Sequence, residues 1–295
     1  MSLFSNLGWL LVFAASWIIP LLLDAHQPSW LTYFSSLVIW LIPITYLWAN
    51  IVRATDPGAR RRKALAIAIV TVVVLGGVLD FILGNKTLIF NSKYVWCIRG
   101  VPIEEMLFYS LAPTAIALAY ACCDQIWFHS PDLENVRHSF RPCDRLLSIH
   151  GGFALTAVLL TAIAVTVGLR RHIFPIYFTF LIAFAILPAV FLYGVLRRVI
   201  NWHAFAVTTF YVIATSMFWE LTLALPRGWW GYQMHGMLAR VPAWSGNAPF
   251  PIEAAIVWVF APFTCVMAFE FARALIYHPA RTVRGALFGA AEPKR

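Results

Sequence analysis

Long apolar runs separated by short polar stretches dominate this chain. Runs of roughly 20 residues, the length a helix needs to cross a hydrocarbon layer about 30 Å thick, fall at about 5–23, 30–50, 64–83, 103–122, 149–169, 173–196, 204–224 and 252–275. Each is predicted to be a helix, because within lipid every backbone N–H and C=O must be paired inside its own segment. The first run has no small-residue cleavage site and further spans follow it, so it reads as a retained helix and not a signal peptide. The expected fold class is all-α, a polytopic transmembrane bundle of about eight helices.

The polar, charged stretch 123–148 splits these runs four and four. It is predicted to be a cytoplasmic linker between a first transmembrane repeat, 1–122, and a second, 149–295, that ends in a basic tail. An even number of spans per half gives both halves the same topology, related by an axis along the membrane normal. Two segments support the duplication. PIEEMLFYSLAP (102–113) and PIEAAIVWVFAP (251–262) lie 149 positions apart and agree at both ends.

Composition agrees with the pattern. The chain has 295 residues and is 61% hydrophobic and 12% charged, whereas soluble domains carry about 25% charge. The net charge of +9 is explained without nucleic acid. Fifteen of the 22 basic residues fall on one face, in the loops 51–63, 123–148 and 197–203 and in the tail after 272, and seven on the other. Cytoplasmic loops carry such an excess, so a multi-pass cell-membrane protein with both termini inside is expected. The arginines at 60–62 read as a cytoplasmic anchor, and Trp9, Trp30, Trp48 and Trp202 as belts at span ends. The five cysteines show no CxxC spacing, and the eight histidines form no HExxH and no mid-span pair, so no metal is expected. No GxGxxG and no DDxxD is present, and no cofactor is expected.

Acids are what the apolar pattern leaves unexplained. Asp80 closes the third run, Glu104 and Glu105 open the fourth, Glu220 lies near the end of the seventh and Glu253 opens the eighth. All five are predicted at one membrane face. A carboxylate at mid-bilayer costs about 2.5–3.5 kcal/mol on insertion scales, so such acids are functional by default. A helix-capping role is the bland reading, since acids in a first turn are favoured by the macrodipole. The recurrence of the motif with an upstream acid each time weakens it. Around the acids lie Phe90, Tyr94 and Trp96 in one connection, Trp229, Trp230, Tyr232 and Trp244 in the other, and Trp219 beside Glu220. Glu104 shares a helix face with Phe108. A carboxyl buried away from water is held protonated more easily, and a desolvated cation on an aromatic face gains about 2 kcal/mol or more. Acid plus aromatic box is what protonation of a carbon–carbon double bond requires.

Residues 89–109, with Phe90-Asn91-Ser92-Lys93-Tyr94 and Pro102-Ile103-Glu104-Glu105 and with Asp80 upstream, resemble the repeat unit of the membrane-integral lycopene cyclases. The second half, from Trp219-Glu220 through Gly228-Trp229 to Pro251-Ile252-Glu253, is similar but looser. The resemblance implies redox-neutral cyclisation of the acyclic ψ-ends of lycopene to β-ionone rings. In it Glu104 and Glu105 match the family's acid pair, Asp80 its upstream acid and Glu253 the first acid of the second repeat. Glu220 stands where the family has Asp, and Ala254 where it has a second Glu. Phe90, Tyr94, Trp96, Phe108, Trp219, Trp229 and Trp230 would then line the substrate. The implied partners are a lipophilic carotenoid, membrane lipid and other carotenoid enzymes.

Three alternatives stay open: a hydratase in which water quenches the same cation, a proton-coupled transporter, and a structural membrane protein whose acids cap helices. Acids clustered at one end, with sparse mid-span polarity, favour an enzyme over a transporter.

Overall fold

The computed structural model describes residues 3–26, 31–53, 59–90, 96–128, 175–182, 186, 196, 199–234, 237–238, 240–241 and 250–277. These are mostly helical. The order is α1 (Leu3–His26), α2 (Thr32–Ser36), α3 (Val38–Arg53), α4 (Ala59–Thr87), β1 (Leu88–Phe90), β2 (Cys97–Ile98), β3 (Val101–Pro102) and α5 (Ile103–Cys122). There follow α6 (Ile176–Leu181), α7 (Trp202–Trp219), α8 (Leu225–Arg227), β4 (Trp230–Tyr232), β5 (Arg240–Val241), β6 (Phe250–Pro251) and α9 (Ile252–Tyr277).

Among the described residues, five stretches are long and apolar enough to cross a membrane: Leu7–His26, Thr32–Val52, Ile103–Gln125, Trp202–Arg227 and Ile252–Ile276. They coincide with the first, second, fourth, seventh and eighth expected spans. The third falls within the 29-residue helix α4. The fifth, 149–169, lies outside the described residues, and of the sixth, 173–196, chiefly the single turn and a half of α6 is described. The expected linker opens with a π-helical turn, Cys123–Trp127, that continues α5; residues 129–148 lie outside the description.

α5 is the most enclosed of the five and α1 the least. α5 packs against α3, α4, α7 and α9, and α9 against α4, α5 and α7. The close approach follows from side-chain size. Ala112, Ala115, Ala117, Ala119 and Ala121 of α5 are all buried, and small residues let apolar helices meet at short range where lipid offers no hydrophobic drive. Prolines interrupt α1 (Pro20), α3 (Pro43), α5 (Pro113) and α9 (Pro262), as membrane helices tolerate when neighbours re-satisfy the backbone.

The all-α expectation leaves out three short antiparallel ribbons, β1 with β4, β2 with β3 and β5 with β6. Strands of two or three residues are too short to register in a hydrophobic period. Local geometry makes them. Arg99 and Gly100 both adopt positive φ, 52° and 83°, the backbone a two-residue hairpin turn demands. Gly228, φ 63°, ends α8 in the left-handed conformation and turns the chain into β4. In the ribbon across the two halves, Leu88 pairs with Tyr232, Ile89 with Gly231 and Phe90 with Trp230. The described elements thus run helix, strand, antiparallel strand pair and then a helix beginning at the Ile after Pro102, and again helix, strand, antiparallel strand pair and a helix beginning at the Ile after Pro251.

Candidate active site

Pro102 takes extended backbone (φ −61°, ψ 148°) and starts α5 without a side-chain cap, which sets Glu104 and Glu105 in the first turn. Glu253 takes the matching place in α9. All four first-turn and π-turn acids are removed from water. Glu104 and Glu105 are 7% and 4% exposed, Glu220 1% and Glu253 0%.

Glu220 owes its position to a π-helical turn, Glu220–Ala224, between α7 and α8. The wider turn re-aims side chains, and such turns recur at functional sites. Tyr232 of β4 donates its phenol to Glu220 Oε1, and Trp258 of α9 donates Nε1 to Oε2 at 3.0 Å. Glu105 Oε2 accepts from the phenol of Tyr33 in α2. Glu253 Oε1 accepts from the backbone N–H of Leu238. Oε2 of both Glu104 and Glu253 is buried without a hydrogen-bond partner among the described residues. The motif therefore leaves the same kind of carboxyl oxygen open in both places.

Aromatic rings join two of these acids, Glu105 and Glu220. Tyr33 stacks on Trp229 (5.2 Å, 14°) and lies 5.3 Å from Trp230. Trp219 lies 5.0 Å from Trp230 and stacks on Phe108 at 4.9 Å. Phe108 meets Trp258 edge-on at 5.8 Å, which returns to Glu220. The indoles are fixed at their polar ends: Trp219 Nε1 donates to Ser36 Oγ and Trp229 Nε1 to Thr32 Oγ1, both at 3.0 Å. A buried indole that is both stacked and hydrogen-bonded holds one orientation.

Of the expected substrate-lining residues, Phe108, Trp219, Trp229 and Trp230 are buried in this cluster. Phe90 is half-buried opposite Trp230 in the ribbon. Trp96 stands apart, 71% exposed. Tyr94 and Trp244 lie outside the described residues, and of Asp80 only its place on the α4 backbone is described. Arg99 has its guanidinium 5.1 Å from the ring centroid of Phe81. The Cys97 thiol in β2 is pushed above its ordinary range, first by partial burial and then by the charge of Glu104. The Tyr232 phenol is pushed well above its own, by burial first and then by the charge of Glu220. Among the described residues no group of three or more His, Cys, Asp or Glu converges as a metal site would need.

Sequence reasoning missed Tyr33, Thr32, Ser36 and Trp258, and a second polar cluster some 20 residues along α5, about 30 Å at 1.5 Å per residue. There Asp124 accepts from Arg61 of α4, from Asn201 Nδ2 at 3.0 Å and from Arg273 Nη1 of α9 at 3.3 Å. Arg273 Nη2 bonds Glu270 Oε2 at 2.7 Å, and Tyr120 donates to Glu270 Oε1 at 2.7 Å. Arg61 does not serve as a surface anchor: Arg62 and Lys63 are exposed, while Arg61 turns inward. A signal was available. Asp124 and Arg273 are 149 positions apart, the offset that aligns the two Pro-Ile-Glu segments, and they carry opposite charges.

No family model, no curated protein and no solved structure matches the chain.

Proposed function

We propose that this chain is a membrane-embedded carotenoid cyclase that closes the acyclic ψ-ends of lycopene into β-ionone rings. The observation that carries the reading is the burial of Glu104, Glu105, Glu220 and Glu253, with Glu105 and Glu220 bonded to a continuous set of contacting aromatic rings. An acid of this set donates a proton to the terminal double bond. The tertiary cation is attacked by the π-electrons of the neighbouring alkene, which closes a six-membered ring. A carboxylate then removes a ring proton. One proton enters and one leaves, so no redox partner is needed. Trp219, Trp229, Trp230 and Phe108 would stabilise the cation through their π-faces without offering a nucleophile. Glu104 and Glu253, each with an unengaged buried oxygen, suit proton exchange with a substrate, and Asp80 is assigned as the upstream acid.

The finer architecture belongs to the same proposal: about eight spans in two parallel-topology repeats, with both termini cytoplasmic. The repeated element order, and the pairing of β1 with its counterpart β4, support it. A hydratase would need water at the cation, which a buried aromatic cluster with its Trp219 and Trp229 N–H groups already bonded disfavours. A proton-coupled transporter would leave the pigment unchanged.

The test is expression in a lycopene-accumulating bacterium. Monocyclic or dicyclic products are expected on chromatography. Unchanged lycopene, with the protein verified in the membrane, overturns the cyclase; a hydroxylated acyclic product points to the hydratase.

A further inference from the structure

A five-residue helix, α2, places three polar groups into the acid and aromatic cluster. Thr32 Oγ1 and Ser36 Oγ accept from the indoles of Trp229 and Trp219, and the Tyr33 phenol donates to Glu105. Their bonding partners lie 197, 183 and 72 positions away. The helix is separated from α3 by a break at Leu37, and Ser35 and Ser36 turn their hydroxyls back onto the carbonyls of Thr32 and Tyr33. Side chains bonding backward in this way bend a helix. Tyr33 itself is fully buried, its ring stacked on Trp229. One side chain thus fixes a carboxyl from the first half of the chain against an indole from the second.

We infer that Tyr33 is the positioning residue of Glu105: its phenol sets the carboxyl's orientation against the aromatic cluster, and α2 is the frame that holds it. The consequence for turnover rests on the cyclase reading; the contact does not. A carboxyl that loses one of its hydrogen bonds is less firmly oriented, and displacement of a reacting group by about 1 Å can cost about 10²-fold in rate.

Tyr33→Phe keeps the ring and its stack and removes only the hydroxyl. Two readouts follow. In purified protein without substrate, the infrared band of the Glu105 carboxyl, identified by its loss in Glu105→Gln, is expected to move in Tyr33→Phe. In the lycopene assay, kcat is expected to fall about 10- to 100-fold with KM within about twofold, and the pH–rate profile to be displaced. Thr32→Val, which releases the Trp229 indole, should instead change KM and leave the Glu105 band in place. An unmoved band overturns the inference. So does a joint loss of kcat, KM and thermal stability in detergent with the band unmoved, which would mark Tyr33 as packing only. If the wild-type protein leaves lycopene untouched while the band moves, the cyclase reading fails and the Tyr33–Glu105 link stands.

Discussion

The two ends of the bundle both give buried carboxyls neutral donors, but the described contacts add arginines at one end alone. At the end with the ribbons, Glu105, Glu220 and Glu253 are met by phenols, an indole and a backbone amide. At the other end, Asp124 and Glu270 are met by Asn201 and the Tyr120 phenol and, in addition, by the guanidiniums of Arg61 and Arg273, with Phe269 beneath both cations at 6.0 and 5.8 Å. A buried carboxylate paired with arginine is committed: neither partner can lose its charge without stranding the other. A carboxyl held by neutral donors carries no such obligation and can exchange a proton. The same residue type therefore serves as brace at one end and suits chemistry at the other.

The largest expected effects exchange the two ends. Glu104→Gln is isosteric and removes a titratable oxygen that has no partner. Turnover of lycopene should fall about 10²- to 10⁴-fold, the range for loss of a positioned acid, with thermal unfolding in detergent nearly unchanged. Glu270→Gln, at the far end, should lower the unfolding temperature and leave turnover per folded molecule close to wild type. A Glu270→Gln variant that is stable but inactive would dissolve the distinction.

Next comes the brace alone. Arg273 is 3% exposed and bridges Asp124 to Glu270. Arg273→Met strands two buried acids and should destabilise the protein by about 3–5 kcal/mol. Adding Asp124→Asn and Glu270→Gln should recover much of that loss, because an uncompensated charge costs more than an absent pair contributes. Chemical denaturation or thermal unfolding in detergent reads both.

What the sequence made legible divides along the same line. Apolar run length located five helical stretches long and apolar enough to cross a membrane, because lipid leaves the backbone no other solution. The recurrence of Pro-Ile-Glu 149 positions on located two helix starts, whose acids are buried. Partners were not legible. Tyr33 sits in a turn of five residues and bonds a residue 72 positions away, a relation no local period encodes. Glu220 is aimed by a π-helical turn, which leaves no mark in hydrophobicity. Asp124 and Arg273 share the 149-residue offset. However, opposite charges in equivalent places look like divergence until the helices are seen to pack.

A smaller effect belongs to Tyr232 at the ribbon end. Burial and then the charge of Glu220 push its phenol well above the ordinary value near 10. The native state thus keeps this proton where the unfolded chain has lost it, and stability must fall with rising pH in that window. Wild-type protein should hold its unfolding temperature up to about pH 10 and lose it above. Tyr232→Phe should start lower by about 1 kcal/mol, the worth of one hydrogen bond, and decline less steeply. Parallel alkaline curves would remove Tyr232 from the account.

The smallest effect reads Glu104 directly. Cys97 is the exposed one among the described free cysteines; Cys122, Cys123 and Cys265 are buried. Its thiol is raised by burial and by the charge of Glu104, and the thiolate is the reactive form. In a Cys143→Ser background, alkylation of Cys97 should be slow at neutral pH. Glu104→Gln should speed it a few-fold wherever Glu104 is ionised, since a nearby like charge disfavours the thiolate. The two rates should converge at the pH where Glu104 takes up its proton. That crossover measures the protonation of the proposed donor without substrate, in the folded protein. Convergence near neutrality would leave Glu104 able to give a proton there. Curves that stay apart down to the ordinary range for glutamate, about 4, would make Glu104 a fixed anion like Asp124, and the contrast between the ends would then rest on Glu253 and Glu220.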